Sequence, residues 1–134
     1  MKVAVSAVGP TLDAEIDPRF GRCRYFLIVN ADTMQFETLD NSGAMAGGGA
    51  GIATAQTLVN RGLEAVLTGN CGPNAYQVLS AADIKVVTGV SGKVGQAIED
   101  YKAGKLKASS QPNVPGHFGM GRGMGRGAGR GWRQ

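Results

Sequence analysis

Two cysteines and a group of arginines are the residues of this sequence whose chemistry could hold an inorganic ligand. Cys23 and Cys71 are separated by 47 intervening residues, and Arg19, Arg22 and Arg24 surround the first of them. Thiolates are soft ligands that suit iron–sulfur species, copper(I) and thiomolybdate-type clusters. Nearby cations and a helix N-terminus lower the pKa of a thiol and so favour the thiolate. The alternative for free cysteines is burial as inert core residues.

A glycine-rich segment, residues 43–51, is the second feature that favours an anionic ligand. It leads into a predicted helix, where free N–H groups attract anions, and glycine lets a ligand approach the backbone closely. Met45 in this segment could supply a third sulfur ligand. The segment lacks the Lys-Ser/Thr ending of a P-loop, so we interpret it through its position rather than as a phosphate motif.

Hydrophobic patterns predict the elements that must position these residues, in the order β-β-β-α-β-α-β-α. Apolar runs and alternation predict strands at residues 2–8, 24–30, 34–39, 64–68 and 84–87. Helical spacing predicts helices around residues 52–59, 75–82 and 94–101. The apolar stripe of the first helix is formed by Ile52, Ala55, Leu58 and Val59.

This order of elements favours a single mixed sheet with helices packed on it. The C-terminal β-α-β unit makes strands 4 and 5 parallel, and short connections make strand 2 antiparallel to its neighbours. With the spatial order 3-2-1-4-5, the two cysteine loops and the glycine-rich segment meet at one edge of the sheet. Open α/β sheets bind ligands where the strand order reverses, which here lies between strands 1 and 4. We therefore expect one anion-friendly cleft that contains both thiols.

Composition predicts one domain, residues 1–107, followed by a flexible tail, residues 108–134, rich in Gly, Arg and Met. The net charge of +4 comes from Arg122, Arg126, Arg130 and Arg133, since the other 10 basic residues balance 10 acidic ones. No apolar stretch approaches the length of about 20 residues that a membrane span requires. Without a signal-peptide layout, we expect a cytoplasmic protein without a membrane partner.

The tail leaves two functional alternatives open. Arginine and glycine with the aromatic residues Phe118 and Trp132 could contact nucleic acid, although four arginines predict only weak, salt-sensitive binding. His117, Met120 and Met124 could instead capture a metal transiently. We expect a solubilising extension, so nucleic acid is not among the predicted partners.

Four segments resemble motifs of a known family. They are residues 17–26 (DPRFGRCRYF), 47–51 (GGGAG), 69–75 (GNCGPNA) and 92–106, which begins GKV and ends YKAGKL. In this order across residues 1–107 they are similar to the dinitrogenase iron–molybdenum cofactor-binding family, of the NifB, NifX and NafY type. The resemblance implies a three-layer α/β/α fold with a ribonuclease H-like motif and a five-stranded mixed sheet.

The resemblance also implies binding, storage or delivery of an iron–molybdenum or other molybdenum-, iron- or copper–sulfur cluster, without catalysis. Orange proteins, small members of the family, carry a molybdenum–copper sulfide cluster. The implied partners are proteins that donate or accept the cluster. A thiol redox protein that uses Cys23 and Cys71 is the remaining alternative. Candidate cofactor-binding residues are Arg19, Phe20, Gly21, Arg22, Gly47, Gly48, Gly49, Gly69, Gly72 and Asn74, and candidate metal ligands are Cys23, Cys71 and Met45.

Overall fold

The computed structural model describes residues 1–41 and 50–109, which contain five strands and three helices. The strands are β1 (Lys2–Ala7), β2 (Tyr25–Asn30), β3 (Phe36–Asp40), β4 (Ala65–Leu67) and β5 (Lys85–Val87). The helices are α1 (Ala50–Val59), α2 (Pro73–Ala81) and α3 (Val94–Lys102). The order of elements along the chain is the predicted one.

The five strands form a single mixed sheet in the spatial order β3-β2-β1-β4-β5, which confirms the prediction. β2 is antiparallel to both β1 and β3, whereas β4 is parallel to β1 and to β5. The strand direction therefore changes at β1, between an antiparallel neighbour and a parallel one. The loops that follow β1, β3, β4 and β5 consequently leave the same edge of the sheet.

Alternating side chains divide the sheet between two apolar cores, which makes the fold three-layered as expected. One face of the sheet packs against α3, and the other packs against α1 and α2. In β1, Val3 and Val5 point to the α3 side, whereas Ala4 points to the side of α1 and α2. Both crossover helices, α1 and α2, cover one face of the sheet, and α3, which follows β5, covers the other.

Two local predictions were wrong. The third strand begins at Phe36 rather than at residue 34, because Met34 lies in the β2–β3 turn with a φ of 63°. In α1 the predicted stripe residue Ile52 is exposed, whereas Thr54 is buried on the inner side. Thr54 can be buried because its hydroxyl donates to the side-chain oxygen of Asn41 at 3.0 Å.

The loop after β1 and the loop after β4 are joined by backbone hydrogen bonds. The N–H of Asn70 donates to the carbonyl of Pro18 at 2.7 Å, and the N–H of Phe20 donates to the carbonyl of Asn70 at 3.2 Å. The loop after β5 joins the same edge, since the N–H of Gly89 donates to the carbonyl of Gly69 at 2.8 Å. Three connections distant in sequence therefore meet above the ends of the parallel strands.

In the described parts of the chain, no helix combines the length and the apolarity that a bilayer span requires. The described region ends at Ser109, whose N–H donates to the carbonyl of Val86 in β5 at 2.7 Å. The division of the chain at residue 107 stays a prediction, and residues 110–134 of the predicted tail lie outside the described residues.

Replacing Gly69 with alanine is expected to lower the free energy of unfolding by about 1–3 kcal/mol, the usual cost of overpacking. A Cβ atom at Gly69 would lie 2.6 Å from the Cα atom and 2.9 Å from the Cβ atom of Pro18. Gly72→Ala is the matched control, because a Cβ atom there meets nothing within 4 Å. Urea unfolding of both variants measures the difference, and equal stabilities would contradict the close approach of the two loops.

Candidate functional site

The predicted site residues fall in two connections at one edge of the sheet. Arg19, Phe20, Gly21, Arg22 and Cys23 lie between β1 and β2, and Gly69, Cys71, Gly72 and Asn74 lie from the end of β4 into α2. The hydrogen bonds between Asn70 and the loop after β1 bring these two groups together. Met45, Gly47, Gly48 and Gly49 lie outside the described residues.

An arginine-lined groove lies at the carboxyl end of β1. Its volume is about 640 Å³, and its walls come from the residues after β1 and from the connection into β2. The lining residues are Val8, Gly9, Pro10, Asp17, Arg19, Arg22, Arg24 and Tyr25. We call this cavity the arginine groove. Its lining holds three guanidinium groups and one carboxylate, so it carries an excess of positive charge.

Asp17 fixes the position of Arg19. The Asp17 side chain is buried, and its carboxylate accepts hydrogen bonds from the backbone N–H of Arg19 at 2.9 Å and from the guanidinium at 3.2 and 3.3 Å. The hydrogen bond and charge of Asp17 raise the pKa of Arg19 above its usual value. The Arg19 side chain is nevertheless 65% exposed, so the paired guanidinium still faces the groove opening.

Arg22 and Arg24 supply charge that no described carboxylate neutralises. In residues 1–41 and 50–109, no salt bridge joins either of these exposed guanidinium groups to an acidic side chain. The Arg24 guanidinium carbon lies 5.4 Å from the centre of the Tyr25 ring, which supports its position by a cation–π contact. These two side chains can therefore approach an anionic ligand without first breaking an ion pair.

The two thiols lie in the core between the sheet and helices α1 and α2. Cys23 and Cys71 are both buried in this core, together with Phe20. The thiol of Cys23 donates to the carbonyl of Phe20 at 3.3 Å. Neither cysteine belongs to the lining of the arginine groove. The structure therefore brings both thiols to the same side of the sheet, but separates them from the exposed cations.

Burial keeps both thiols protonated at neutral pH. Desolvation raises the pKa of Cys23 to about 12, and the charge of Asp17 acts in the same direction. Desolvation also raises the pKa of Cys71 to about 11. The expectation that the arginines and the N-terminus of α2 favour thiolates was wrong, because loss of hydration outweighs exposed charges that water screens.

Asn41 links three parts of the site, and the sequence analysis missed it. Its buried side-chain amide donates to the carbonyl of Cys23 at 2.9 Å and accepts from the hydroxyl of Thr54 in α1 at 3.0 Å. Its own N–H donates to the carbonyl of Arg24 at 2.8 Å. Its position directly after β3 and before the glycine-rich segment was a signal for a role in the site. An exposed asparagine in a loop, however, would look the same in the sequence.

Phe20 and Ser6 have structural roles around the groove. Phe20 is buried edge-to-face against Phe26, with ring centres 5.3 Å apart, so it anchors its loop in the core. The buried hydroxyl of Ser6 donates to the carbonyl of Asp17 at 2.7 Å and lies 2.8 Å from the hydroxyl of Thr68. These contacts hold the backbone of the arginine-bearing loop against β1 and the end of β4.

The arrangement of possible metal-ligating side chains argues against a site for a bare metal ion in the described region. Within residues 1–41 and 50–109, no three His, Cys, Asp or Glu side chains converge as metal ligands. Structural metal sites usually need four such ligands, and catalytic ones three. The exposed guanidinium groups instead suit a ligand that is itself negatively charged, since planar guanidinium donors match anionic groups in charge and geometry.

Comparison with known proteins shows which family this chain is related to. A profile of the family described as "Dinitrogenase iron-molybdenum cofactor" matches residues 1–104. An uncharacterized protein of Methanocaldococcus jannaschii is 30% identical over 110 residues, which are 80% of this chain and 90% of that protein.

Solved structures share both the fold and part of the sequence. The apo form of the orange protein from Desulfovibrio gigas is 42% identical with a TM-score of 0.81, and the match covers 84% of this chain and 95% of that one. A NifB-type protein of the DUF35 family from Thermotoga is 34% identical with a TM-score of 0.69, over 80% of this chain and 91% of that one. The chain therefore belongs to the dinitrogenase iron-molybdenum cofactor family.

Proposed function

We propose that this protein binds and carries a molybdenum-, iron- or copper–sulfur cluster, as a storage, carrier or assembly factor rather than as an enzyme. The observation that carries the proposal is the arginine groove, in which Arg22 and Arg24 have no described carboxylate partner. The groove lies between the end of β1 and the start of β2, beside the position between β1 and β4 where open α/β sheets bind ligands. The family match and the similarity to the orange protein support the same class of ligand.

In this proposal, the exposed arginines of the groove recognise the anion as a whole. Arg19, Arg22 and Arg24 would contact the sulfur surface of the cluster through charge-assisted hydrogen bonds. The backbone at Gly21 and the start of α2 at Gly72 are further contact sites that this proposal includes. Met45 and Gly47, Gly48 and Gly49 belong to the segment after Asn41, and we keep them as candidate contacts.

The thiols would act after recognition. Cys23 and Cys71 must lose a proton before they can ligate a metal, and burial opposes that loss. Ligation by either thiol would therefore release protons and require a local opening of the core around Phe20. The same raised pKa values disfavour a thiol redox function, because the thiolate is the reactive form. Proteins that donate or accept the cluster are the partners this function would need.

Arg22→Gln/Arg24→Gln is expected to weaken binding of tetrathiomolybdate roughly tenfold or more at low ionic strength, because two uncompensated cations are removed. Anaerobic titration followed by the visible absorption of the anion measures the dissociation constant. Lys85→Gln/Lys107→Gln is the matched control, since both lysines line a different cavity, beside Met1 and Glu64. Similar affinities in the two double variants would rule out the groove as the binding site.

Cys23→Ser/Cys71→Ser is expected to lower the amount of bound metal after anaerobic reconstitution with tetrathiomolybdate and copper(I), while weak binding of tetrathiomolybdate alone persists. The physical reason is that serine retains the size of the side chain but removes the soft sulfur donor. Elemental analysis for Mo and Cu provides the measurement. Unchanged metal content would remove both cysteines from the site and leave the arginine groove as the binding element.

Raising the pH above 9.0 is expected to lower the free energy of unfolding. The folded pKa values of Cys23 and Cys71, about 12 and 11, exceed the ordinary value of 9.0, so the stabilisation is complete below pH 9.0 and is lost as pH rises through the folded values. Tyr101, whose pKa burial raises to about 12, acts in the same direction.

Urea unfolding between pH 8 and 11 tests this dependence, with Cys23→Ala/Cys71→Ala as the control because it retains Tyr101. The alanine variant should lose less stability over this range than the natural chain. An identical loss in both proteins would show that the thiols are not the groups responsible.

A further inference from the structure

A second cavity lies at the edge of the sheet opposite to the arginine groove, where the parallel strands begin. Met1 precedes β1, Glu64 precedes β4 and Lys85 opens β5. Backbone hydrogen bonds align these starts. The N–H of Glu64 donates to the carbonyl of Lys2 at 2.8 Å, and the N–H of Lys85 donates to the carbonyl of Glu64 at 3.0 Å. The cavity, of about 470 Å³, is completed by residues from the end of α3 and the chain after it, which include Tyr101, Lys102, Leu106 and Lys107. We call it the lysine pocket.

Two lysines give this pocket positive charge that no described carboxylate neutralises. Lys85 and Lys107 are both exposed. Residues 1–41 and 50–109 hold all 10 acidic side chains of the sequence, and within these ranges no salt bridge reaches either lysine. Lys102, by contrast, is paired with Glu99 at 3.6 Å. An acidic ligand can therefore contact Lys85 and Lys107 without first breaking an ion pair.

The pocket also contains a fixed hydrogen-bond acceptor and apolar surface. Glu64 is half-buried, and its Oε2 atom accepts the hydroxyl of Tyr101 at 2.7 Å, which holds the carboxylate in place without a cation. A carboxylate can accept further hydrogen bonds at its second oxygen. Leu106 is half-buried in the lining and Met1 is exposed, so both offer apolar contact. The volume of the pocket lies within the range of about 300–1,000 Å³ that is usual for ligand sites.

We propose that the lysine pocket docks an acidic polypeptide segment of a partner protein, one that carries apolar side chains between its carboxylates. Lysine ammonium groups are compact point charges on flexible stems, so they adapt to carboxylates at different positions along a segment. Glu64 can accept a backbone N–H of the segment, and Leu106 and Met1 can contact its apolar side chains. A nucleic acid is a poorer match, because Glu64 repels its phosphates and the half-buried Tyr101 is not an exposed platform for base stacking.

The position of the lysine pocket separates partner docking from cluster binding. β1 has six residues, so about 20 Å lie between the pocket at its start and the arginine groove at its end. The Debye length at physiological ionic strength is about 8 Å, so the lysines exert little force on an anion in the groove. A partner held at the pocket would leave the groove open for transfer of the cluster. The role of this docking in cluster transfer rests on the proposed function, whereas the docking itself does not.

Lys85→Gln/Lys107→Gln in the full-length chain is expected to weaken binding of a short fluorescent peptide of alternating aspartate and leucine. The expected loss is roughly three- to tenfold at low ionic strength, because two uncompensated cations are removed. Fluorescence anisotropy measures the dissociation constants. Arg61→Gln/Lys93→Gln is the matched control, since it removes the same charge from salt bridges outside the pocket. An equal loss in both variants would reveal a general effect of net charge and overturn the inference.

Two further ligands test what the pocket recognises. A peptide of alternating aspartate and serine should bind more weakly than the leucine peptide, because it lacks the apolar side chains, and equal affinities would remove the apolar contact from the proposal. A single-stranded RNA oligonucleotide tests the other class of acidic macromolecule. If the lysine variant loses as much affinity for the RNA as for the leucine peptide, the pocket attracts anions in general, and the choice of a polypeptide is overturned.

The groove variant Arg22→Gln/Arg24→Gln distinguishes docking from the proposed function. It should lose affinity for tetrathiomolybdate and retain the acidic peptide, whereas the lysine variant should do the reverse. A larger loss of peptide affinity in the groove variant than in the lysine variant would place the peptide in the groove and overturn the docking site. If the lysine variant loses the peptide while the groove variant retains tetrathiomolybdate, docking stands and the proposed function fails. Thermal unfolding verifies that each variant retains the fold.

Discussion

The contact between Pro18 and the Gly69–Asn70 turn is the constraint on which the geometry of the site depends. The carbonyl of Pro18 accepts both the backbone N–H of Asn70 at 2.7 Å and its side-chain amide at 3.1 Å. A parallel pair of strands places two loops at one edge, but does not by itself bind those loops to each other. Here the missing side chain of Gly69 allows the backbones to touch, and the buried Ser6 hydroxyl links Asp17 to Thr68. Asp17, thus held, orients Arg19.

A single connection, between β1 and β2, serves two opposite physical requirements. Phe20 and Cys23 enter the apolar core, while Arg19, Arg22 and Arg24 remain exposed to water. The apolar pair anchors the loop and the charged residues give it a ligand preference. This division also explains why cations close in sequence do not activate the thiol, since their charge is screened by water and the thiol is not hydrated. Recognition by charge and ligation by sulfur are therefore separate events in the proposed function.

The buried polar groups of the site are satisfied by one another rather than by solvent. Asn41 bonds to the carbonyl of Cys23 and to Thr54, so the end of β3 and helix α1 are both tied to the arginine-bearing loop. A buried amide without partners would cost about 1–3 kcal/mol. The hydrogen bonds of Asn41 are therefore cooperative, because losing its partners would leave the amide buried and unsatisfied. The family profile covers residues 1–104 and so includes this network, whereas the arginine-rich end of the chain lies beyond it.

The sequence by itself determined the sheet and the family. Alternation in residues such as Val3 and Val5 depends only on the two-residue period of a strand, and the handedness of β-α-β units then restricts the strand order. Motifs such as residues 17–26 carry the family resemblance because their residue types and spacing can be read directly. These features are local, or follow from general rules of chain connection.

Exposure was decided only by the tertiary structure, because it depends on what packs against each side chain. The sequence does not show that Cys23 and Cys71 are covered, that Thr54 rather than Ile52 faces inward, or that Asn41 is buried. The positive φ of Met34, which delays the start of β3, likewise follows from the turn that the paired strands impose. The chemical character of the site, with exposed cations and buried, protonated thiols, therefore arises from packing and not from residue types alone.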